Sequence, residues 1–301
     1  MKKSLIALAA LAAVSAASAQ SSVTMYGVAD LSLAKLPGVA TQMSGEGLMN
    51  NGGSRLGVRG VEDLGGGLQA AFNFEQGLNM ETGAMSGPTP FQRAANLSLM
   101  GNFGTFKMGR TLTPSFYAMA AWDLTQAANY SVVGNQFAWA GSGSRNNSEF
   151  SYKTPSFGGF TAQLAYVAAP DNGGHDKKEA NAIYANGPVV VGLAYNKVEG
   201  SGSNVALGGK YSFGAFEVAG SFQDPDGDAR GFTLGGGATF GAVHLVLDVA
   251  RDTHFHDTDV VLEAKYALSK RTFAYAAAYR NGNGKTVDST TSYGLGLRHN
   301  F

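Results

Sequence analysis

The chain is 301 residues long, with 42 glycines, 8 prolines, no cysteine, and 22 basic against 22 acidic residues. Balanced charge leaves no global basic field for nucleic acid, and zero cysteine excludes disulfides and thiolate metal sites. Charged residues make up 15% and aromatics 11%, where a soluble domain averages about 25% charged; with so much glycine, this fits a large antiparallel β protein with many tight turns.

The first nineteen residues read as a cleaved signal peptide. Lys2 and Lys3 form a positive n-region, Leu5 to Val14 a short apolar h-region, and Ala17-Ser18-Ala19 an A-x-A site. Cleavage is expected after Ala19, with the mature chain 20–301 starting at Gln20. No helical membrane span follows, because every later apolar stretch is broken by glycine and polar residues. A soluble exported protein and an outer-membrane barrel both fit, since lumen-facing polar residues weaken a barrel's signal.

From Val23 the pattern has period 2. Strands are expected at 22–34, 55–62, 68–75, 91–100, 105–111, 145–155, 160–169, 178–186, 189–199, 203–213, 216–224, 229–240, 242–251, 257–268, 271–280 and 288–301. Short turns such as 64–67, 101–104 and 156–159 alternate with longer polar loops. The count of about sixteen is even, so the last strand can pair antiparallel with the first. These are the marks of a closed antiparallel transmembrane β-barrel, all-β, without a free edge. In the clearest strands Val243, Leu245, Leu247 and Val249 share a face, as do Phe273, Tyr275, Ala277 and Tyr279, and Tyr293, Leu295, Leu297 and Phe301. These apolar sets are expected to face lipid. A soluble β-sandwich or solenoid is the competing architecture.

One stretch departs from the pattern. From Thr111 to Ser144 there is one acid, Asp123, and no Lys or Arg, yet the stretch holds both tryptophans, Trp122 and Trp139. A connection this long is usually functional or disordered, and its aromatic content argues against a disordered linker. It reads as a loop packed inside something hollow, with Thr113 and Pro114 suited to cap a short helix.

Five stretches stand out: Val23-Thr24-Met25-Tyr26-Gly27-Val28-Ala29-Asp30, the run from Ser54 to Gly67, Gly101 to Arg110, Arg145 to Phe160, and the ending Gly296-Leu297-Arg298-His299-Asn300-Phe301. Together they resemble the general, trimeric Gram-negative porins, particularly their β-proteobacterial branch. They lie in family order across essentially the whole mature chain. The resemblance implies a sixteen-stranded barrel assembled as a homotrimer in outer-membrane lipid and lipopolysaccharide. It implies a third external loop (113–144) folded into the lumen, and a terminal Phe301 that addresses the outer-membrane assembly machinery. It further implies a constriction in which wall bases oppose loop acids, and the field between them sorts solutes by charge. Carried over, the wall bases are Arg55, Arg93 and Lys153. Arg59 shares the face of Arg55, and Glu149 the face of Lys153. Arg93 shares its parity with Ala95, Leu97 and Leu99. Asp123 is the only loop acid, unlike porins with several, so the expected pore is weakly anion-selective.

Other signals carry less. His254-Phe255-His256-Asp257 has the spacing of two ligands on one strand face but lacks a third. Asp224-Pro225-Asp226-Gly227-Asp228 lacks the glycine and distant glutamate of an EF-hand; loosely bound calcium in external loops is the most it would support, and no other cofactor is expected. None of the five histidines lies in a nucleophile context, so no enzymatic activity is expected. The reading is a general diffusion porin passing small hydrophilic solutes and ions passively. The alternatives are a substrate-selective channel, which needs a slide of lumen aromatics, and a non-channel adhesin or structural barrel, which needs a plugged lumen.

Overall fold

A computed structural model describes residues 22–284 and 288–301; the expected signal segment, with its cleavage site and the start at Gln20, lies outside the described residues. The strands are β1 (Ser22–Lys35), β2 (Gln42–Ser44), β3 (Ser54–Gly65), β4 (Leu68–Leu78), β5 (Ala94–Gly101), β6 (Gly104–Leu112), β7 (Arg145–Lys153), β8 (Phe160–Val167) and β9 (Lys177–Asn186). They continue with β10 (Val189–Val198), β11 (Ser203–Phe213), β12 (Phe216–Asp224), β13 (Gly231–Phe240), β14 (Val243–Asp252), β15 (Thr258–Ala267), β16 (Thr272–Asn281) and β17 (Thr290–Asn300). Each of the sixteen long strands matches an expected one; β2, three residues long, is additional and pairs only with Ser32–Ala34 of β1.

All neighbours are antiparallel, and the sheet closes on itself. The first half of β1 pairs with β3 (Ser22↔Val61 to Val28↔Arg55), and its second half pairs with β17 (Val28↔Asn300 to Lys35↔Tyr293). The last residue seals the seam: Gly27 and Phe301 exchange both backbone hydrogen bonds, at 3.0 and 3.1 Å. Among the described residues, closure gives each of the sixteen long strands a partner on both sides, which hydrocarbon surroundings demand. Short turns and longer loops alternate around the barrel, except that the turn 154–159 is longer than the loops 199–202 and 253–257.

Alternation along the strands separates two faces. Leu193, Leu207, Phe222, Leu234, Leu247, Leu262 and Leu295 are exposed, while Asn196, Asn204, Gln223, Asp248 and Glu263, on the opposite parity, are buried. In this fold the exposed apolar face is the lipid-facing one, as expected for Val243–Val249 and Tyr293–Leu297. On β16 the expectation is reversed. Tyr275, Ala277 and Tyr279 are buried on the polar face, and the small residues Thr272, Ala274 and Ala276 take the outer face. Each phenol has an acid to bond: Tyr275 donates to Asp30 at 2.6 Å and Tyr279 to Asp259 at 2.5 Å. The tyrosines join a cluster with Met49, Val132 and Phe137, so burial there costs no hydrogen bond and gains apolar contact.

Residues 113–144 pack against that polar face. Helix α1 (Pro114–Trp122) has Pro114 in its first turn, and its N-cap Thr113 accepts from the Phe116 N–H at 3.0 Å, the arrangement that the sequence suggested. Helix α2 (Val132–Phe137) is capped by Ser131. α1 lies on β9, β10 and β11, and α2 on β14 and β15. Polar contacts fix the segment along its length. Ser115 donates to Glu179 (2.9 Å), Asn196 donates to Ser115 and to the Ala140 carbonyl (3.0 Å each), and Tyr130 donates to Glu263 (2.6 Å). Lys177 and Lys265 each lie 3.0 Å from those buried glutamates, Glu179 and Glu263 respectively. Trp122 seats where two strands lack side chains: a Cβ on Gly192 or Gly208 would come within 2.8 or 2.5 Å of its ring.

Asp123 is not where a field across the passage needs it. It is 1% exposed and ends α1 by accepting from the Ala127 N–H (2.7 Å) and the Thr125 hydroxyl (3.0 Å). Burial pushes its carboxyl above the ordinary range, against the opposing effect of those hydrogen bonds. It serves as a turn lock, and the segment's exposed surface is left without charge.

Two outcomes follow. Gly208→Ala will displace Trp122 and cost about 1–3 kcal/mol of docking, read as faster proteolysis within 113–144 while the far-ultraviolet spectrum of the barrel is unchanged. Asp123 has a folded pKa above the ordinary value of 3.8, so its contribution is full below that value and fades as pH rises through the folded pKa. The segment will therefore become more protease-sensitive as pH rises from acid towards neutral, and Asp123→Asn will remove that pH dependence.

Candidate functional site

β3 presents Arg55, Gly57 and Arg59 on one face, with Leu56 and Val58 on the other. Directly across, Glu75 on β4 shares the polar parity with Asn73. Its carboxylate organises the cluster. Oε1 lies 2.7 Å from Nε of Arg93, Oε2 lies 3.6 Å from Nε of Arg55, and the Tyr26 hydroxyl donates to Oε2 at 2.9 Å. Arg93 shares the parity of Leu97 and Leu99, which face outward, yet it points to Glu75. It precedes the first residue of β5, Ala94, and so escapes the strand's alternation.

Two further arginines join. Arg145 opens β7 and donates through Nε to the Arg93 carbonyl at 2.9 Å; Arg298 on β17 donates to Asn51 at 3.0 Å. Arg55, Arg93, Arg145 and Arg298, with Glu75 as the one acid, line a cavity of about 480 Å³. The opposite lining comes from the long segment and is uncharged: Phe116, Gln126, Asn129, Asn135 and Trp139. The Phe116 and Trp139 rings lie 4.8 Å apart. Trp139 is held there by three consecutive left-handed residues, Ala138, Trp139 and Ala140, with φ of 49°, 56° and 54°. Such backbone is costly for residues other than glycine and persists where surroundings enforce it. Here Asn196 bonds the Ala140 carbonyl.

The sequence-expected residues therefore divide. Arg55 and Arg93 meet in this cavity. Arg59 and Lys153 line a different one, of about 440 Å³, together with Lys107 and the loop residue Tyr117. Arg59 also lies over the Tyr26 ring, 5.0 Å from its centroid. Glu149 is fully buried and accepts from Asn146 at 2.9 Å; it lies beneath the lining and does not face either cavity. Asp123 is buried and lines neither cavity. A register shift between Gly109 and Thr111, opposite Ser148 with φ 47°, turns Asn146 to the polar face in place of Asn147. The charged residues that the sequence reading left unassigned were Glu75, Lys107, Arg145 and Arg298. Parity placed Arg145 and Arg298 on polar faces, but parity does not give depth along the barrel.

At the long-loop end, His254 lies 3.9 Å from Asp228, and His256 lies against Arg251. The two histidines thus turn to different neighbours, not to a shared centre.

Residues 7–286 match the family model described as Gram-negative porin. Outer membrane porin protein 32 of Delftia acidovorans is 35% identical, aligned over 100% of both chains. Major outer membrane protein P.IB of Neisseria meningitidis serogroup B is 29% identical, again over 100% of both. Among solved structures, an anion-selective porin from Comamonas acidovorans superposes with a TM-score of 0.78 at 28% identity, covering 94% of this chain and 100% of that one. OmpT of Vibrio cholerae, in a loop-deletion form, shares the fold at TM-score 0.73 and 18% identity. A sixteen-stranded barrel closed by the pairing of β1 with β17, an alternation that puts apolar residues outside, and a match spanning the chain have one explanation: this protein belongs to the Gram-negative porin family and resides in the outer membrane.

Proposed function

We propose that the protein is a general diffusion pore whose residues 113–144 narrow a water-filled lumen, and that it passes small anions more readily than cations. The observation that carries this reading is the imbalance at the first cavity: four arginines and one glutamate on the wall, against an uncharged surface on the segment. A passage lined by one sign of charge between low-dielectric walls concentrates ions of the other sign. The mechanism needs no moving part and no reaction. A solute enters along the wall, exchanges water for guanidinium hydrogen bonds, and leaves down its gradient. The Comamonas porin, described as anion-selective, supports the same sign here. Asp123 and Glu149, the acids that the sequence set against the bases, are both covered, which leaves Glu75 as the acid that offsets the arginines of this cavity.

The active unit is a homotrimer set in lipid and lipopolysaccharide. The trimer follows the family resemblance. For lipid phosphates the complement is on the outer face: Lys178 and Lys197 stand directly opposite one another on β9 and β10, and both are exposed. Like charges so placed repel, and a phosphate between them would relieve it. Phe301, at the seam and 49% exposed, is available to the assembly machinery. A substrate-selective channel is the second reading, favoured by the Phe116 and Trp139 rings beside the arginines; it requires one aromatic solute to cross far faster than others of equal size and charge.

Planar-bilayer recording tests the proposal. Conductance steps will come in groups of three, and under a salt gradient the reversal potential will have the anion-selective sign. Arg93→Gln with Arg145→Gln will move that potential towards zero, because half of the four cavity arginines are then neutral. A cation-selective wild type would overturn the reading.

A further inference from the structure

The second cavity differs from the first in composition as well as place. Arg59, Lys107 and Lys153 line it, and among the described residues no carboxylate does. Glu149 acts on Lys107 electrostatically from below the lining, but its carboxylate is fully buried. Polar donors surround the three cations: the amides of Asn73, Asn96 and Gln163 and the hydroxyls of Ser98, Ser151 and Tyr117. The three bases come from β3, β6 and β7, with Lys107 and Lys153 on adjacent strands.

The position of the cavity follows from the strands. Lys153 ends β7 at the 154–159 turn, and Lys107 lies just beyond the 102–103 turn. Arg55 and Arg59 occupy the same face of β3, four residues apart, which is about 13 Å along a strand. Helix α1 supplies the partition: Phe116 lines the first cavity, and its neighbour Tyr117 lines the second. The two basic spaces are thus stacked on one wall, the second towards the short turns.

We propose that Arg59, Lys107 and Lys153 form a second anion site, on the short-turn side of α1, suited to a small multivalent oxyanion. Several acceptor oxygens can use the surrounding amide and hydroxyl donors together with the cations. A halide, with one charge and no directed lone-pair geometry, uses the site less well. A permeating oxyanion then has two resting places in series, and release from the first is assisted by vacancy of the second. Multi-site passage of this kind lets binding be favourable without trapping the ion. The inference rests on the anion-pore reading above but concerns different residues, so the two can fail separately.

The test uses the full-length protein in planar bilayers, with inorganic phosphate titrated into chloride at constant ionic strength. In the wild type, phosphate will reduce the chloride current in a saturable manner. Lys107→Gln with Lys153→Gln removes two charge-assisted contacts and will raise the half-blocking concentration on the order of tenfold or more. Its reversal potential will keep the anion-selective sign, because the four arginines of the first cavity remain. Lys153→Arg, which keeps the charge, will retain most of the block and controls for folding. Unchanged block in the double glutamine variant would overturn the second site while leaving the anion reading intact. A cation-selective wild type would remove the anion reading whatever the block.

Discussion

Backbone hydrogen bonding in a medium without water governs this molecule. A strand in lipid cannot leave its N–H and C=O groups open, so the first strand and the last must pair. β1 resolves this by serving two partners in sequence along its length, β3 up to Val28 and β17 beyond it. Phe301 completes the ring by pairing with Gly27. Closure then fixes which side chains face outward and which are enclosed, and everything at the site depends on that division.

The enclosed face is unusual for its acids. Asp30, Glu149, Glu179, Asp248 and Glu263 are all nearly inaccessible, and buried carboxylates are costly unless paired and hydrogen-bonded. The 113–144 segment supplies many of the partners: Ser115 and Ser142 to Glu179, and Tyr130 to Glu263. Lys177 and Lys265 add cations beside those glutamates. The segment and the acids therefore stabilise each other, and the acids of β9 and β15 are withdrawn from any passage. Arg55, Arg93, Arg145 and Arg298 have no such cover and line the first cavity. The asymmetry of charge thus comes less from an excess of bases, since the chain has 22 of each sign, than from the segment lying over the acids.

Asp123 illustrates the same division. As the sole acid of its segment it read as the negative pole of a transverse field. A lone carboxylate next to a helix C-terminus is also well placed to accept the free N–H groups of the following turn, and this is the role it takes. Local hydrogen bonding of this sort competes effectively with long-range attraction, because contact at 2.7 Å outweighs a charge across a wet gap.

Sequence by itself determined the barrel. Period-2 alternation, glycine-rich turns and an even strand count each follow from local backbone and side-chain rules, so sixteen strands were legible with their order and most of their inward and outward faces. The long aromatic segment was legible too, as the one stretch that could not be a strand. Tertiary structure alone decided depth and company. Parity cannot say that Lys153 lies with Arg59 and Lys107 while Arg55 lies with Arg93, Arg145 and Arg298, because a two-residue repeat carries no information about height along a tilted strand. Nor could it foresee that Tyr275 and Tyr279 turn inward. Aromatics default to lipid, and only the presence of Asp30, Asp259 and the cluster around Phe137 makes the inner face the better place for them.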